Sequence, residues 1–266
     1  MNVAVVGHVE WVQFARVERV PVVGEIVHAV EWWEEAAGGG AVAAVRLAAL
    51  AGSATLYTAL GSDELGAAAV EQLAARGVTV HAVRPTEPQR RAFCFVDDSA
   101  ERTITVLGPK LVPSGTDADL PWEELENAEA AYFVSGDVAA LRQARRAGVL
   151  VATSRELPTL QAGGVELDAL VGSGKDESEV FHPGDLNPSP ALVVSTAGSL
   201  GGWAQPGGPF RAEPPDAPVE DAYGCGDAFA AGLAFALAQG FETADAIEFA
   251  ARCGADALTV RGAGVA

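Results

Sequence analysis

The sequence predicts an α/β fold in which a doubly wound, mostly parallel sheet carries a small β lid. Three observations predict it. Residues 2–7 are an apolar run that ends in glycine, typical of a parallel strand covered on both faces. From about residue 120 onward, strand segments alternate with helical segments through short connections. Two further segments, 14–35 and 90–107, have strand character outside this alternation and form the predicted lid.

Each of the two lid segments contains a predicted turn. Residues 14–35 alternate between apolar and polar side chains and contain a Pro-Val-Val-Gly turn at 21–24. Residues 90–107 form a predicted hairpin that turns at 97–100. A lid that excludes water is a common device in phosphoryl transfer, because water would otherwise accept the phosphoryl group.

The remaining segments supply the predicted core. A glycine-rich stretch at 36–40 opens an alanine-rich helix that continues to Leu50. Further helices are predicted at 64–76, 137–147, 227–239 and 243–260. Strands are predicted at 54–60, 78–83, 130–134, 149–153, 169–171 and 191–196. We expect a single domain over residues 1–266, because no repeat, linker or low-complexity segment divides the chain.

The composition restricts the function classes. A net charge of −19 argues against nucleic-acid binding, which needs Lys and Arg in excess. The apolar run at 228–238 is too short to span a bilayer, so no membrane partner is expected. The three cysteines, Cys94, Cys225 and Cys253, have neither CxxC nor zinc-site spacing, and no signal peptide is apparent. These features predict a cytoplasmic protein.

The strongest functional signal is the stretch Gly224-Cys225-Gly226-Asp227, which precedes a long apolar run. Glycines at 224 and 226 allow turn geometry and a close approach of the backbone to a ligand. The first amides of a helix lack partners within the helix and bind anions. Asp227 would face such an anion, an arrangement suited to phosphoryl transfer with Asp227 as the general base. The alternative interpretation is an ordinary helix N-cap.

Two candidates lie on the N-terminal side. Glu10 follows the first strand, where ligands gather in open α/β sheets, and is a candidate for binding a substrate hydroxyl; an ordinary surface glutamate is the alternative. Gly38 and Gly39 belong to a loop that matches neither G-x-G-x-x-G nor a P-loop. Close helix packing explains these two glycines as well as ligand contact does.

The order of these pieces resembles the ribokinase-like (PfkB) family of carbohydrate and nucleoside kinases over nearly the whole chain. Asp221-Ala222-Tyr223-Gly224-Cys225-Gly226-Asp227 is similar to the family's Asp-Thr-x-Gly-Ala-Gly-Asp signature. The resemblance implies that Asp227 deprotonates the acceptor hydroxyl. It also implies that the amides of Gly224, Cys225 and Gly226 form the anion hole.

The resemblance assigns other roles as well. Gly198, Ser199 and Gly201 lie in a segment that resembles the family's nucleotide loop, with a simple turn as the alternative. Asp221 is assigned to the same nucleotide side, and Gly38 and Gly39 to the substrate side. ATP and Mg²⁺ are the implied cofactors, and a monovalent cation is a further candidate. The implied partner is a small sugar or nucleoside acceptor, and lid strands that pair across two chains would give a homodimer.

Several positions depart from the family pattern. Val42 stands where a sugar-binding Asn is usual, and Val12 where an early Asp is usual, so that Glu10 is the candidate substitute. The family's Asn-x-x-Glu motif is replaced by Ser173-Gly174-Lys175-Asp176. Asp176 is still able to order a metal-bound water, whereas Lys175 would offset phosphate charge. Cys225 replaces Ala, either as a packing residue or as a thiol of lowered pKa at a helix N-terminus.

We therefore predict an ATP-dependent kinase that phosphorylates a hydroxyl of a sugar, nucleoside or related polyol. The alternative is a binding or regulatory protein of the same fold with little catalysis, which the departures at Val12, Val42 and Ser173 motivate. A nicotinamide enzyme is disfavoured because no G-x-G-x-x-G follows the first strand. Trp11, Trp32 and Trp33 near the lid are compatible with an aromatic acceptor or with packing.

Overall fold

The computed structural model describes residues 1–264 and contains thirteen strands and six α-helices in this part of the chain. The strands are β1 Val3–Val6, β2 Glu10–Arg16, β3 Glu31–Ala37, β4 Ala54–Ala59, β5 Val78–Val83, β6 Arg91–Val96, β7 Arg102–Leu107, β8 Ala130–Phe133, β9 Val149–Thr153, β10 Ala169–Ser173, β11 Leu192–Thr196, β12 Gly202–Gln205 and β13 Gly208–Phe210. The helices are α1 Gly39–Ala51, α2 Glu64–Ala75, α3 Val138–Ala144, α4 Leu157–Gly163, α5 Cys225–Ala238 and α6 Thr243–Ala257.

The main sheet has nine strands in the order β13-β12-β11-β10-β9-β8-β1-β4-β5. All neighbours are parallel except the two pairs that involve β12. β1 lies inside the sheet, where Val5 is in register with Leu56 of β4 and Tyr132 of β8. All four β1 residues are buried, as expected for a strand with helices on both faces. The predicted fold class is confirmed.

The smaller sheet has the order β3-β2-β6-β7 and forms the lid. β2 pairs antiparallel with β3 and parallel with β6, and β6 and β7 form the predicted hairpin. The first lid segment differs from the predicted range of 14–35, because β2 begins at Glu10 and β3 continues to Ala37. Six of the seven β2 residues are at least partly buried, so the start of β2 lacks the alternation that marks a one-sided strand.

Helices cover both faces of the main sheet. One apolar cluster joins β1, β4 and β8 to α1, α5 and α6, and a second joins the opposite face to α3. α5 and α6 approach closely at Gly232, where a β-carbon would lie 2.7 Å from Cys253 Sγ. α4 was not predicted from the sequence, because it has only seven residues and carries a proline in its first turn.

Among residues 1–264, no helix combines the length and the apolarity that crossing a bilayer requires. The longest described helix, α6, has fifteen residues.

Candidate active site

The entry into α5 requires glycine at position 224. Gly224 is the N-cap of α5 and has a φ of 73°, in the left-handed region. A β-carbon there would also lie 2.7 Å from Val42 Cγ1 in α1. Two independent constraints, backbone conformation and the close approach of α1, therefore favour glycine at this point.

At Gly226 the loop that leads into α5 is open to solvent. A β-carbon at Gly226 would meet no atom within 4 Å, and Gly226 is exposed. The Ala228 amide donates to the Gly224 carbonyl at 2.9 Å, so the preceding amides of the first turn have no acceptor within the helix. These amides form the kind of positive helix end at which an anion binds.

Asp227 lies in the first turn of α5 and faces the start of α1. The Tyr132 hydroxyl donates to Asp227 Oδ1 at 3.3 Å. A β-carbon at Gly39 would lie 3.0 and 3.2 Å from the two carboxylate oxygens, so only glycine leaves them uncrowded. Burial raises the pKa of Asp227 above its ordinary value, while the charge of Arg155 and the Tyr132 hydrogen bond lower it. The structure thus brings Gly39 and Asp227 together.

Glu10 is the first residue of β2, and its side chain is buried beside Gly38. Its Oε1 lies 2.9 Å from Arg90 Nε and 4.0 Å from His8 Nε2. Gly38 has a φ of 85°, and a β-carbon there would lie 3.1 Å from the Glu10 amide nitrogen. Burial raises the pKa of Glu10, whereas the charges of Arg90 and Lys110 lower it. Glu10 is therefore a buried, paired carboxylate and not an ordinary surface glutamate.

His8 lies between Glu10 and the buried residue Ser135. Its Nδ1 lies 3.0 Å from the Ser135 hydroxyl. Burial lowers the pKa of His8 to about 3, with further lowering by Lys110, Arg90 and Arg155. The imidazole is therefore neutral at physiological pH.

The predicted nucleotide loop follows β11 as a short 3-10 turn over Gly198–Leu200. Gly198 and Ser199 are exposed. Gly201 has a φ of 89°, and a β-carbon there would lie 2.1 Å from the Phe210 carbonyl oxygen, so this glycine is required for packing. A β-carbon at Gly198 would lie 3.2 Å from Lys175 Nζ, which places that ammonium over the loop.

Asp221 is fully buried beneath the signature loop. Its Oδ1 accepts a hydrogen bond from the Tyr223 amide and its Oδ2 one from the Gly262 amide, both at 2.8 Å. Asp221 therefore ties the signature loop to the chain after α6. This position is suited to holding the loop in shape and does not present an open carboxylate.

Two carboxylates that follow β10, Asp176 and Glu179, differ in their exposure. Asp176 is exposed, and its Oδ1 caps a short turn by accepting from the Ser178 amide at 3.0 Å and hydroxyl at 2.7 Å. Glu179 is 7% exposed, accepts from the Ser173 amide at 2.9 Å and pairs with Arg155 Nε. The buried carboxylate at this edge of the sheet is thus Glu179.

Sequence reasoning missed Tyr132, Arg155 and Glu179. Tyr132 lies inside a strand with apolar neighbours, so nothing in the local pattern separates it from a core aromatic residue. Arg155 had a usable signal, because the polar run Ser154-Arg155-Glu156 directly follows β9 at the edge where ligands bind.

The positions of the family's sugar contacts are apolar here. Val12 and Val42 are 0% and 5% exposed and belong to one cluster with Phe14, Tyr223 and lid residues. The Tyr223 hydroxyl accepts from the Gly38 amide at 2.9 Å, and its ring packs edge-on against Phe14 at 5.0 Å. The two departures are therefore coupled, because both side chains seal the same junction.

Cys225 lies at the N-terminus of α5, where a helix dipole favours a thiolate. Burial outweighs this effect and raises the pKa of the Cys225 thiol. The packing interpretation is favoured over a reactive thiolate.

The comparisons with known proteins agree with this geometry. The sequence matches the family described as pfkB family carbohydrate kinase over residues 1–155 and 165–266. No curated protein matches the sequence.

Solved structures share the fold at low sequence identity. A ribokinase from Thermotoga maritima is 19% identical to this chain with a TM-score of 0.75, and the match covers 99% of this chain and 94% of the ribokinase. A ribokinase from Arabidopsis thaliana, complexed with ribose and ATP, is 21% identical with a TM-score of 0.72, covering 98% and 93%. Phosphofructokinase-2 from Escherichia coli, in complex with substrates and products, is 18% identical with a TM-score of 0.74, covering 97% and 92%. With the family match spanning nearly the whole sequence, the chain belongs to the pfkB family of carbohydrate kinases.

Proposed function

We propose that this carbohydrate kinase transfers the γ-phosphoryl group of ATP to a hydroxyl of a sugar, nucleoside or related small polyol. The observation that carries the proposal is the position of Asp227. Its carboxylate lies in the first turn of α5, beside the open amides of the anion hole and against Gly39 of the substrate-side loop.

In this mechanism Asp227 accepts the proton of the acceptor hydroxyl as the oxygen attacks phosphorus. The amides of Gly224, Cys225 and Gly226 stabilise the negative charge on the transferring phosphoryl oxygens. Tyr132 orients the Asp227 carboxylate, and the positive charge of Arg155 favours its ionised form. The lid sheet shields the acceptor from water.

ATP would lie on the nucleotide side, along Gly198, Ser199 and Gly201, where Lys175 offsets phosphate charge. Asp221 contributes by holding the signature loop, since both of its oxygens already accept amides. Any dependence on a monovalent cation is tested by replacing K⁺ with a bulky organic cation in the assay.

Mg²⁺ fits this donor set as an ion held chiefly by nucleotide phosphates. Within residues 1–264, no group of three or more metal-ligating side chains converges. Mg²⁺ is usually bound through one or two carboxylates, water and phosphates, so a full protein cage is not needed. Glu179 and the exposed Asp176 are the carboxylates that would order its water shell. When bound, Mg²⁺ would neutralise charge that develops on the β- and γ-phosphates.

The test is Asp227→Asn, assayed as acceptor-dependent release of ADP over a panel of sugars and nucleosides. Loss of the general base is expected to lower the rate by about 10²- to 10⁴-fold. Circular dichroism and thermal melting report whether the variant is folded. A folded Asp227→Asn protein with near-normal turnover would contradict the assignment.

A binding or regulatory protein is the second candidate, favoured by the burial of Val12 and Val42 in the lid junction. It predicts that an acceptor binds and shifts the melting temperature without any ADP release. The open anion hole and Asp227 argue for catalysis instead.

We also propose a homodimer formed through the lid. β7 is an edge strand whose six residues are all exposed, among them Ile104 and Val106. Sedimentation of the native chain beside Ile104→Asp tests this, with dissociation of the variant as the expected result. The proposed cytoplasmic location rests on Cys94, Cys225 and Cys253, which are all unpaired thiols.

A further inference from the structure

The lysines of this chain occur at the candidate site. Only two of the seventeen basic residues are lysines, Lys110 and Lys175, in a chain with a net charge of −19. Lys175 lies over the nucleotide loop at Gly198. Lys110 follows β7 at the root of the lid and is close enough to His8 to act on its charge state. Lys110 donates to Glu156, and its position needs a separate explanation.

Three ion pairs contain the cations whose charges act on His8. In each of the three pairs, the carboxylate is more buried than the cation. The side-chain exposures of cation and carboxylate are 37% and 14% for Lys110–Glu156, 14% and 9% for Arg90–Glu10, and 61% and 6% for Arg155–Glu179.

Because the cations are the more exposed partners, some of their N–H donors are available to a ligand. Lys110 Nζ donates to Glu156 Oε1 at 2.7 Å, which uses one of three ammonium protons. Arg90 Nε lies 2.9 Å from Glu10 Oε1, and the guanidinium carries further N–H donors on its two terminal nitrogens. The glutamates thus pair with the cations from the more buried side, and each cation keeps further donors for a ligand.

The cations belong to the acceptor side of the site. Lys110, Arg90 and Arg155 all act on His8, whose ring lies against Gly38. Gly38 precedes Gly39, where a β-carbon would lie 3.0 Å from the Asp227 carboxylate. An acceptor that presents a hydroxyl to Asp227 and continues past Gly38 would reach these cations.

The same side lacks the usual contacts for neutral hydroxyls, since Val12 and Val42 are buried in the lid cluster. Contacts between the cations and a charged group of the acceptor would replace hydrogen bonds to its neutral hydroxyls. Charge-assisted hydrogen bonds are roughly twice as strong as neutral ones.

We propose that the acceptor carries an anionic group, a carboxylate or a phosphate, and that Lys110 and Arg90 bind it. This inference rests on the proposed kinase function for the acceptor's orientation. Arg155, whose charge also acts on Asp227, is assigned to the transferring phosphoryl group instead.

The experiment compares matched acceptors with the full chain and MgATP. The probes are D-glucose, D-gluconate and D-glucose 6-phosphate, together with D-ribose, D-ribonate and D-ribose 5-phosphate. We expect kcat/KM for an anionic member to exceed that of its neutral parent at least tenfold. Lys110→Met should lower kcat/KM at least tenfold for the anionic acceptor and less than twofold for the neutral one. A preference for the acid over the phosphate identifies a carboxylate, and the reverse preference a phosphate.

The control is Arg252→Met, an exposed residue of α6 that pairs with Glu248 and should change neither value. A merely structural role of Lys110 would lower kcat/KM equally for charged and neutral acceptors, and that result overturns the proposal. A neutral sugar as the best acceptor also overturns it.

Titration calorimetry separates this inference from the kinase assignment. If no probe gives ADP release but an anionic sugar binds native protein at least tenfold more tightly than Lys110→Met, the kinase proposal fails and the anion site stands. If ADP is released with neutral sugars alone, the kinase proposal stands and the anion site fails. If no anionic probe binds or reacts, the anion site is rejected.

Discussion

Asp227 links activity and stability at the residue scale. Burial raises its pKa, so the folded protein holds this proton more tightly than the unfolded chain does. Its contribution to stability is full below the unfolded pKa of about 4 and is lost as the pH rises through the higher folded pKa. Keeping Asp227 ionised, as its role of general base requires, therefore costs stability, a common feature of active sites.

Asp227→Asn removes this cost because the amide has no charge to desolvate. We expect the free energy of unfolding to rise by about 1 kcal/mol at pH 7. The gain over the native protein should vanish near pH 4, where both side chains are neutral. Urea denaturation at the two pH values measures the difference. A variant less stable than the native protein at pH 7 would contradict this account of Asp227.

Tyr132 is a positioning residue for the same carboxylate. Its hydrogen bond lowers the pKa of Asp227, so Tyr132→Phe should move the acidic limb of the kcat/KM profile to higher pH. On that limb the rate should fall about fivefold, the effect of a hydrogen bond worth about 1 kcal/mol. Tyr57→Phe is the matched control, because that buried hydroxyl donates only to the Pro121 carbonyl at 3.4 Å. Identical pH profiles for all three proteins would exclude the proposed role.

At the scale of elements, the junction of α1 and α5 sets the position of the anion hole. Gly224→Ala meets both an unfavourable φ and the Val42 side chain, so we expect a loss of about 3 kcal/mol in unfolding free energy. Val42→Ala removes the overlap, and the double variant should show a favourable coupling of about 1–2 kcal/mol. Gly226→Ala is the control, since its β-carbon meets nothing within 4 Å. Equal losses at 224 and 226 would mean that the junction is not the cause.

At the scale of the whole molecule, the lid is attached to the signature loop. The Ala100 carbonyl in the lid turn accepts from the Ala222 amide at 3.0 Å, and Arg102 of β7 donates to the Ala222 carbonyl at 3.0 Å. Arg16 of β2 donates to the Glu220 carbonyl at 3.2 Å. The lid is therefore bonded directly to the segment that leads into the anion hole. We propose on this basis that core and lid act as a single domain.

Arg102→Ala tests this attachment. Arg102 is exposed, so its loss should leave the melting temperature nearly unchanged. The loss of a hydrogen bond worth about 1 kcal/mol should lower kcat about fivefold, with faster amide exchange over residues 222–226. Arg91→Ala, another exposed lid arginine, is the control. Normal exchange and kcat in Arg102→Ala would show that the lid does not support the loop.

The sequence alone determined the fold class, the order of the elements and the loop that carries Asp227. These features rest on local signals: the apolar run of β1, the hairpin at 97–100 and the glycines before α5. Local signals also set the limits of the prediction. The start of β2 at Glu10 was missed because both faces of the strand are covered. Helix α4 was missed because seven residues are too few to show a clear helical period.

Only the tertiary structure decided which side chains share the site. Tyr132 and Asp227 are 95 residues apart in the chain, and their contact depends on the packing of α5 against β8. The choice of Glu179 over Asp176 as the buried carboxylate depends on the fold of one short turn. The ion pairs of Lys110 and Arg90 depend on partners from distant segments. Burial and pairing act between segments far apart in sequence, so a local pattern does not contain them.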